Sequence, residues 1–290
     1  MNSKIKTFGI IGGDKRQLFL AESLLRDGCG VILAGFDKLS GQGFGNLSDV
    51  KAAALLSDAV ILPLPCLRAD KSLNAPFAFQ NIYFSDDELE ALCRKPVFAA
   101  MSGRLLRAYP RLSGAGVYDY AARDDFAILN AVPTAEGAVE TAMREYEGTI
   151  FGSRSLVTGF GRIGKVLARM LKSLGSDVTV SARKASDLAY IQALGFRAAN
   201  TEKLTSARGY ELIFNTVPSM IFDEKLLENT DKTALLIDLA SLPGGVDFES
   251  ARRLGIDAHR AMGLPGKCAP KSAGDIIKKT VFSIIEEVNR

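Results

Sequence analysis

The chain has 290 residues, of which 47% are hydrophobic, and a formal net charge of +3. This length exceeds what one compact core usually holds, so two domains are expected. The basic residues are scattered, with no Lys/Arg run and no interleaved aromatic residues, which argues against nucleic acid as a partner. No stretch reaches the roughly 18 apolar residues of a membrane span. The apolar run at residues 8–11 is too short for a signal peptide, so none is expected.

The first half of the chain alternates buried-type apolar runs with an amphipathic segment. The predicted elements are a strand at 7–11, a helix at 15–26, and strands at 31–36, 59–64, 97–100 and 117–118. Continuous apolar runs are typical of strands that are buried on both faces of a parallel sheet.

The turn after the first strand, at Gly12 and Gly13, lacks a third glycine. The next strand ends near Asp37, which leaves a ribose-binding role open for this half. The incomplete turn instead favours a degenerate Rossmann-like domain that lines a substrate cleft. Arg16 is then either a free cation near that cleft or a solvated surface residue.

The second half repeats the alternation. Its predicted elements are helices at 134–146, 163–174, 188–194 and 271–288, and strands at 155–158, 178–181, 212–215, 234–239 and 256–259. Pro133 suits the entry to the first of these helices. The sequence therefore predicts an α/β fold of two doubly wound Rossmann-like domains around a central cleft. The first spans residues 1–130 and the second, which binds the dinucleotide, spans 131–270; the last helix, within 271–290, is expected to pack back onto the first.

A complete dinucleotide fingerprint, GFGRIG, lies between a predicted strand and a predicted helix. Gly159 allows the tight turn, Gly161 lets the backbone approach the pyrophosphate, and Gly164 lets helix and strand pack closely. The N–H groups of the helix N-terminus face the phosphates. The predicted cofactor contacts here are Gly159, Phe160, Gly161, Arg162, Ile163 and Gly164.

The following strand ends in Ser181-Ala182-Arg183-Lys184, without the usual acid. An acid would accept hydrogen bonds from the ribose 2′-OH and would repel a 2′-phosphate. The hydroxyl of Ser181, the guanidinium of Arg183 and the ammonium of Lys184 instead favour NADP over NAD, although NAD stays possible. A solvated basic loop is the alternative interpretation.

Two later strand ends extend the predicted cofactor site. These are Asn215-Thr216-Val217-Pro218-Ser219 and Asp238-Leu239-Ala240-Ser241. Both lie at carboxyl ends of predicted parallel strands, where ligands bind in open α/β sheets, and they would flank the ribose and the nicotinamide. Ordinary turns are the alternative.

The cysteines and the histidine limit the possible chemistry. Cys29, Cys66, Cys93 and Cys268 lack CxxC spacing, so they are expected to be reduced in a cytosolic protein without a metal site. Oxidation of a 2-hydroxy acid normally uses a His paired with a carboxylate. His259, the single histidine, would have to supply that group alone, and it is expected to be a structural or partly exposed residue. This argues against ordinary hydroxy-acid oxidation, although Lys, Tyr or Glu can substitute.

Seven stretches together resemble the A subunits of dipicolinate synthases. In chain order they are IIGGDKRQ, AGFD, NAVPTAEGA, GFGRIGKVLARML, NTVPSMI, LIDLASLPGG and GLPGKCAPKSAG. The similarity covers almost the whole chain, and residues 68–94 carry little of it.

The resemblance implies an enzyme of spore formation, located in the cytoplasm of the mother cell. It implies oxidation of a dihydrodipicolinate-level precursor to pyridine-2,6-dicarboxylate, with the flavoprotein-like B subunit of the synthase as partner. Two alternatives stay open: a non-catalytic nucleotide-binding component of that complex, and a two-domain dehydrogenase of hydroxy or amino acids. A homo-oligomer is also expected.

Such a substrate is a dicarboxylate, which requires cations, hydroxyls or helix N-termini. The predicted substrate-binding residues are Arg16, Ser102, Arg104 and Ser272, and the predicted catalytic residues are Thr134, Glu136 and Lys271. Glu136 would take a ring proton; its alternative role is a favourable charge at a helix N-terminus. Lys271 opens the last helix, where the helix dipole disfavours a cation, so a ligand contact is expected there.

Overall fold

The computed structural model describes residues 5–39 and 46–289 and divides into two compact units. Unit 1 comprises Met1–Leu129 and Pro270–Arg290, and unit 2 comprises Asn130–Ala269. Each unit contains a six-stranded parallel sheet with helices, which confirms the predicted pair of doubly wound α/β domains. No helix among the described residues combines the length and the apolar composition needed to cross a membrane.

The sheet of unit 1 is built on short apolar strands. Its strands are β1 (Thr7–Ile11), β2 (Gly30–Ala34), β3 (Asn46–Ser48), β4 (Ala59–Ile61), β5 (Val97–Ala99) and β6 (Val117–Asp119), in the order β3-β2-β1-β4-β5-β6. Its helices are α1 (Lys15–Arg26), α2 (Val50–Leu56), α3 (Asp86–Cys93) and α4 (Ser102–Ala108). Phe8, Ile10 and Ile61 are fully buried in the central strands, as expected for a sheet that is covered on both faces.

A long helix, α5 (Asp124–Glu145), begins in unit 1 and ends in unit 2. The predicted start at Thr134 is wrong by ten residues, because Pro133 lies inside the helix rather than at its entry. Proline in a helix interior removes one backbone hydrogen bond. Continuous burial of Ala131, Ala135 and Ala138 along one face of α5 outweighs that loss.

Unit 2 repeats the strand order of unit 1. Its strands are β7 (Arg154–Thr158), β8 (Asp177–Ala182), β9 (Arg197–Asn200), β10 (Leu212–Asn215), β11 (Leu235–Asp238) and β12 (Asp257–Arg260), in the order β12-β11-β10-β7-β8-β9. Its helices after α5 are α6 (Arg162–Ser173), α7 (Ala185–Ala193), α8 (Glu224–Glu228), α9 (Phe248–Leu254) and α10 (Leu264–Cys268). In each unit the strand order reverses beside the first strand, so the turn after that strand lies at the switch point where ligands bind.

The last helix, α11 (Pro270–Val288), belongs to unit 1 and packs on α1. A Cβ at Gly274 would lie 2.6 Å from the carbonyl oxygen of Arg16, so only glycine permits this approach. The Ser23 hydroxyl donates to Asp275 at 2.5 Å, further along α1. Arg290, the last residue of the predicted segment, lies outside the described residues.

Candidate dinucleotide-binding site

Two glycines of the GFGRIG turn are required by the protein itself. Gly159 has φ +96°, and its N–H donates to the carbonyl of Ser181 at 2.9 Å. A Cβ at Gly159 would lie 2.5 Å from Oγ1 of Thr216. A Cβ at Gly164 would lie 2.0 Å from the carbonyl oxygen of Gly159. These two glycines therefore let β7, α6 and the loop after β10 approach one another.

The middle glycine, Gly161, is different. It has an ordinary φ of −81°, and a Cβ there would meet no described atom within 4 Å. It is also the N-cap of α6 and offers no side chain to accept the first N–H groups of that helix. Uncapped N–H groups beside open space suit an anionic group such as a pyrophosphate.

A cavity of about 300 Å³ opens over this turn. It brings together residues from three of the predicted segments, which follow β7, β8 and β10. The lining residues are Gly159, Phe160, Gly161, Ala182, Arg183, Lys184, Asp187, Thr201, Thr216, Val217, Pro218, Ser219 and Ile221. The concave site therefore lies at the carboxyl edge of the unit 2 sheet, at its switch point.

Two cations and one acid line the cavity beyond β8. Arg183 and Lys184 are exposed, and neither side chain forms a hydrogen bond or ion pair within the described parts of the chain. Asp187, in the first turn of α7, was not predicted, because it lies in the next helix, beyond the residues that end the strand. It follows Arg183 by four residues.

Ser181 does not face the cavity. Its side chain is fully buried, and its hydroxyl accepts a hydrogen bond from Thr201 at 2.9 Å. The strand continues through Ala182, so the accessible strand end begins one residue later than predicted. The predicted contact between Ser181 and a 2′-phosphate is therefore wrong.

Asn215 is also unavailable to a ligand, because it lies in a buried polar row across three strands. Thr158, Asn215 and Asp238 are aligned in register on β7, β10 and β11. Thr158 Oγ1 donates to Asn215 Oδ1 at 2.7 Å, and Asn215 Nδ2 donates to Asp238 Oδ1 at 2.7 Å. Asn215 thus positions strand ends, and its predicted cofactor contact is wrong.

The Asp238 carboxylate continues this row into the loop after β11. It is fully buried and accepts from the backbone N–H groups of Ala240 and Gly245, each at 3.2 Å. Together with the Asn215 amide, these N–H donors compensate its burial. Asp238 was predicted only as the start of a turn that flanks the cofactor, and its complete burial gives it a structural role instead.

Five other predicted contacts lie around the cavity without lining it in the described chain. Leu239 and Ala240 are buried, whereas Ser241 is exposed on the loop. Arg162 and Ile163 form the first turn of α6, and Ile163 packs against the core of unit 2.

The predicted substrate residue Arg16 is paired within unit 1. Its Nε lies 2.9 Å from Oδ1 of Asp14 and its Nη2 lies 2.8 Å from Oδ2, and Nη2 also donates to the carbonyl of Leu64. The side chain is almost completely buried. Arg16 is therefore neither a free cation nor a solvated surface residue, but a structural link between α1 and the segment after β4.

The other candidates of unit 1 differ in availability. The Ser102 hydroxyl donates to Asp119 at 3.0 Å, so its proton is already used. Arg104, in α4, and Lys271 and Ser272, in the first turn of α11, are exposed. None of these three side chains forms a hydrogen bond or ion pair within residues 5–39 and 46–289.

The two candidates on α5 do not line the dinucleotide cavity. The Thr134 hydroxyl donates to the carbonyl of Asn130 at 2.7 Å, and the residue is almost completely buried. Glu136 lies mid-helix and lines a groove between α5 and α6. The alternative role of Glu136 at a helix N-terminus is wrong, because α5 begins at Asp124.

Known proteins share both units. Residues 7–121 match the family model for the N-terminal domain of the dipicolinate synthase A subunit. Residues 128–241 match "D-isomer specific 2-hydroxyacid dehydrogenase, NAD binding domain". The dipicolinate synthase A subunit of Bacillus subtilis (strain 168) is 33% identical over 289 residues, which cover 96% of this chain and 95% of the relative. The chain belongs to the family of dipicolinate synthase A subunits.

Solved structures from this dipicolinate synthase family share the fold over nearly the whole chain. The synthase A chain from Bacillus subtilis has a TM-score of 0.86 at 32% identity and covers 98% of this chain and 96% of its own. The A subunit from Bacillus halodurans has a TM-score of 0.86 at 31% identity, with 97% of both chains covered.

The match over residues 128–241 identifies the class of ligand that the cavity of unit 2 binds. Unit 2 is a nicotinamide-dinucleotide-binding domain of the dehydrogenase type, and such a domain supports an oxidoreductase. Membership of a family of A subunits also implies a partner in the synthase complex.

His259, the single histidine, lies on β12 at the edge of the sheet. Its Nε2 is 2.8 Å from the Asp257 carboxylate, and it is partly exposed. It lines a separate cavity of about 490 Å³ together with Arg144, Arg260 and Lys267. His259 therefore does not line the dinucleotide cavity.

Proposed function

We propose that this chain is the NADP-dependent oxidoreductase component of a dipicolinate synthase of sporulating bacteria. It oxidises a dihydrodipicolinate-level precursor to pyridine-2,6-dicarboxylate in the mother-cell cytoplasm, together with the flavoprotein-like B subunit of the synthase. The observation that carries the NADP assignment is the pair of exposed cations, Arg183 and Lys184, on the wall of the cavity that opens over Gly161.

The residues of the cavity fit a phosphorylated dinucleotide. The uncapped N-terminus of α6 at Gly161 would hold the pyrophosphate. Arg183 offers a planar fork of donors and Lys184 a compact charge, and a 2′-phosphate accepts both. Thr216, Val217 and Pro218 would border the ribose next to the nicotinamide.

The proposed reaction removes one hydride and one proton from the dihydropyridine ring. The nicotinamide ring, when it is bound, supplies the hydride acceptor, and the proton leaves to a base or to water. The ring of the product is aromatic, which makes loss of that proton favourable. The side chains of this enzyme then contribute mainly by positioning the dianion and excluding water.

Three residues of unit 1 remain suitable for the two substrate carboxylates. Arg104, Lys271 and Ser272 are exposed and have no partner within the described chain, so their donors are available. Ser102 is less suitable, since its hydroxyl proton is donated to Asp119. Of the three predicted catalytic residues, Lys271 would be the candidate base in place of Thr134 and Glu136, and it would accept the ring proton as the uncharged amine.

The test uses the purified full-length chain with dihydrodipicolinate, in the presence and absence of the flavoprotein-like partner. Formation of dipicolinate and of NADPH is followed in the same sample, with NADP or NAD as cofactor. We expect equal amounts of the two products and a preference for NADP. Dipicolinate formation without any reduction of a nicotinamide, with or without the partner, would overturn the proposal.

A second candidate is a nucleotide-binding component without its own chemistry. It is favoured by the lining of the cavity, in which Asp187 is the one carboxylate among the described residues. The Gly161→Asp variant in complex with the flavoprotein-like partner separates the two functions. Loss of NADP binding with full dipicolinate formation supports the second candidate, and loss of both supports the first.

A further inference from the structure

The outer side of α5 in unit 2 carries a second apolar stripe. Its inner stripe, at Ala131, Ala135, Ala138 and Ala142, is buried. One residue further along, at the same 4-3-4 spacing, are Val132, Glu136, Val139 and Met143. Met143 is 58% exposed and Val132 is 39% exposed. A helix that is apolar on more than its core-facing stripe needs a second covering surface.

Helix α6 supplies the other wall of a groove next to this stripe. The groove encloses about 540 Å³ and is lined mainly by apolar side chains. These are Val139 of α5, Val166 and Met170 of α6, and Leu174, which directly follows α6. Val166, Met170 and Ser173 again follow a 4-3 spacing, so the two walls present matching ridges. Grooves between two such helices accept the ridge of a further helix.

One acid and one base lie in the same groove. Glu136 of α5 and Arg169 of α6 are both exposed, and neither forms a hydrogen bond or ion pair with a described residue. Because the groove carries one unpaired negative and one unpaired positive charge, it is complementary to the same groove in a second copy of the chain. Two copies related by a twofold axis would pair Glu136 of each copy with Arg169 of the other.

We propose that this α5–α6 face joins two copies of the chain in an isologous dimer. Each copy contributes its α5 and α6 to a four-helix contact, in which the outer stripe of one α5 fills the groove of the other copy. The two Glu136–Arg169 pairs fix the register at the two ends. The proposal does not depend on the cofactor or on the reaction.

The first experiment measures the association state of the full-length chain by sedimentation equilibrium at micromolar concentration. We expect a dimer for the natural sequence. Met143→Glu should raise the dimer dissociation constant by about thirtyfold or more, which is typical of a lost interface anchor. The matched control is Leu56→Glu, because Leu56 is 69% exposed and belongs to α2 of unit 1 rather than to the α5–α6 face, and the dimer should persist.

The second experiment reverses the charges at Glu136 and Arg169. Both side chains are exposed, so these substitutions should leave the fold intact. Glu136→Arg alone and Arg169→Glu alone should each weaken the dimer, since like charges then meet twice. An equimolar mixture of the two single variants should form a tight heterodimer. One of its contacts joins the natural Glu136 of one copy to the natural Arg169 of the other, and the second contact joins the two substituted residues, which also have opposite charges. Failure of the mixture to recover affinity overturns the proposal.

Two further outcomes also overturn it. One is a natural chain that stays monomeric and uses this face for the flavoprotein-like partner alone. The other is a dimer that none of the three substitutions on the α5–α6 face weakens, which would place the interface elsewhere.

Discussion

The two glycine turns of this chain occupy the same place in two sheets of the same strand order, yet only one of them is open. Both follow the first strand of their sheet and both precede a helix. In unit 2 a Cβ at Gly161 would enter free space. In unit 1 the corresponding N-cap is Asp14, whose own side chain accepts from the Arg16 N–H at 2.9 Å, and the Gly13 N–H already donates to the Asn74 carbonyl at 2.8 Å.

The segment after β4 occupies the space over the glycine turn of unit 1. That segment brings Leu73 and Asn74 over the turn and accepts the Arg16 guanidinium at the Leu64 carbonyl. Asp14 caps α1 with its own side chain, together with Gln17. The donors that would hold phosphates in unit 2 are therefore used by the protein itself in unit 1.

The same fold can thus keep or close its ligand position without changing its strand order. The difference lies in two side chains and one loop. A side-chain cap on the helix and a covering loop remove the free N–H groups, whereas glycine at the cap in unit 2 leaves them available.

The largest expected effect is that of Gly161→Asp, which would close the open turn. A carboxylate there faces the pyrophosphate, and like-charge contact costs several kcal/mol, so NADP affinity should fall by about a hundredfold or more. The melting temperature should hardly change, because the new Cβ meets no described atom. Calorimetric titration together with thermal unfolding checks both expectations, and unchanged affinity would contradict the assigned pyrophosphate position.

Arg183→Ala tests the cationic wall of the open turn. Loss of charge-assisted hydrogen bonds of about 1.5–3 kcal/mol should weaken NADP binding roughly tenfold to hundredfold. NAD binding should be unaffected, because it lacks the 2′-phosphate. Arg208→Ala, at an exposed arginine outside the cavity, is the matched control. Equal losses for NADP and NAD would show that Arg183 contacts another part of the dinucleotide.

Gly13→Ala tests the closed turn. Gly13 has φ +114°, and a Cβ would lie 2.4 Å from Oε1 of Gln17, so the variant combines backbone strain with a clash. We expect a loss of about 1–3 kcal/mol in the unfolding free energy, measured by urea denaturation. NADP affinity should stay unchanged, and a large drop in it would mean that the two turns are not independent.

Asp187→Asn should have the smallest effect. The Asp187 carboxylate lines the cavity with Arg183 and Lys184 and would repel a 2′-phosphate across a partly solvated distance. Removal of its charge should strengthen NADP binding by a few-fold, in line with about 0.2–1 kcal/mol for exposed charge pairs. NAD binding should weaken if the carboxylate accepts from the 2′-OH. A weaker affinity for NADP would indicate that Asp187 instead orients the two cations.

Central strands and the helices packed on them were predictable because burial dictates their pattern. The bounds predicted for β1, α1 and β10 are those of the structure. Six short helices were not predicted, since five to eight residues give little periodicity: α2, α3, α4, α8, α9 and α10. A usable signal existed for α3, where Ser85 and Glu88 form a capping box.

The candidate site was predictable where its chemistry depends on local backbone. Gly159, Gly161, Arg183, Lys184 and the 216–218 loop do line one cavity. Ser181 and Asn215 were misassigned because both contacts depend on neighbouring strands. The Thr201 hydroxyl donates to the Ser181 hydroxyl. The Asn215 amide accepts from Thr158 and donates to Asp238.

By itself, the sequence determined the two α/β domains, the complete fingerprint at GFGRIG and the cationic strand end that follows it. These features are local, because strand burial, a positive φ and the sign of a side chain are properties of a few adjacent residues. Only the tertiary structure decided which glycine turn is open and that Arg16 is paired. Segments some 50 to 60 residues away in the chain supply the atoms that close the first turn, and no local pattern at Gly12 and Gly13 encodes their approach.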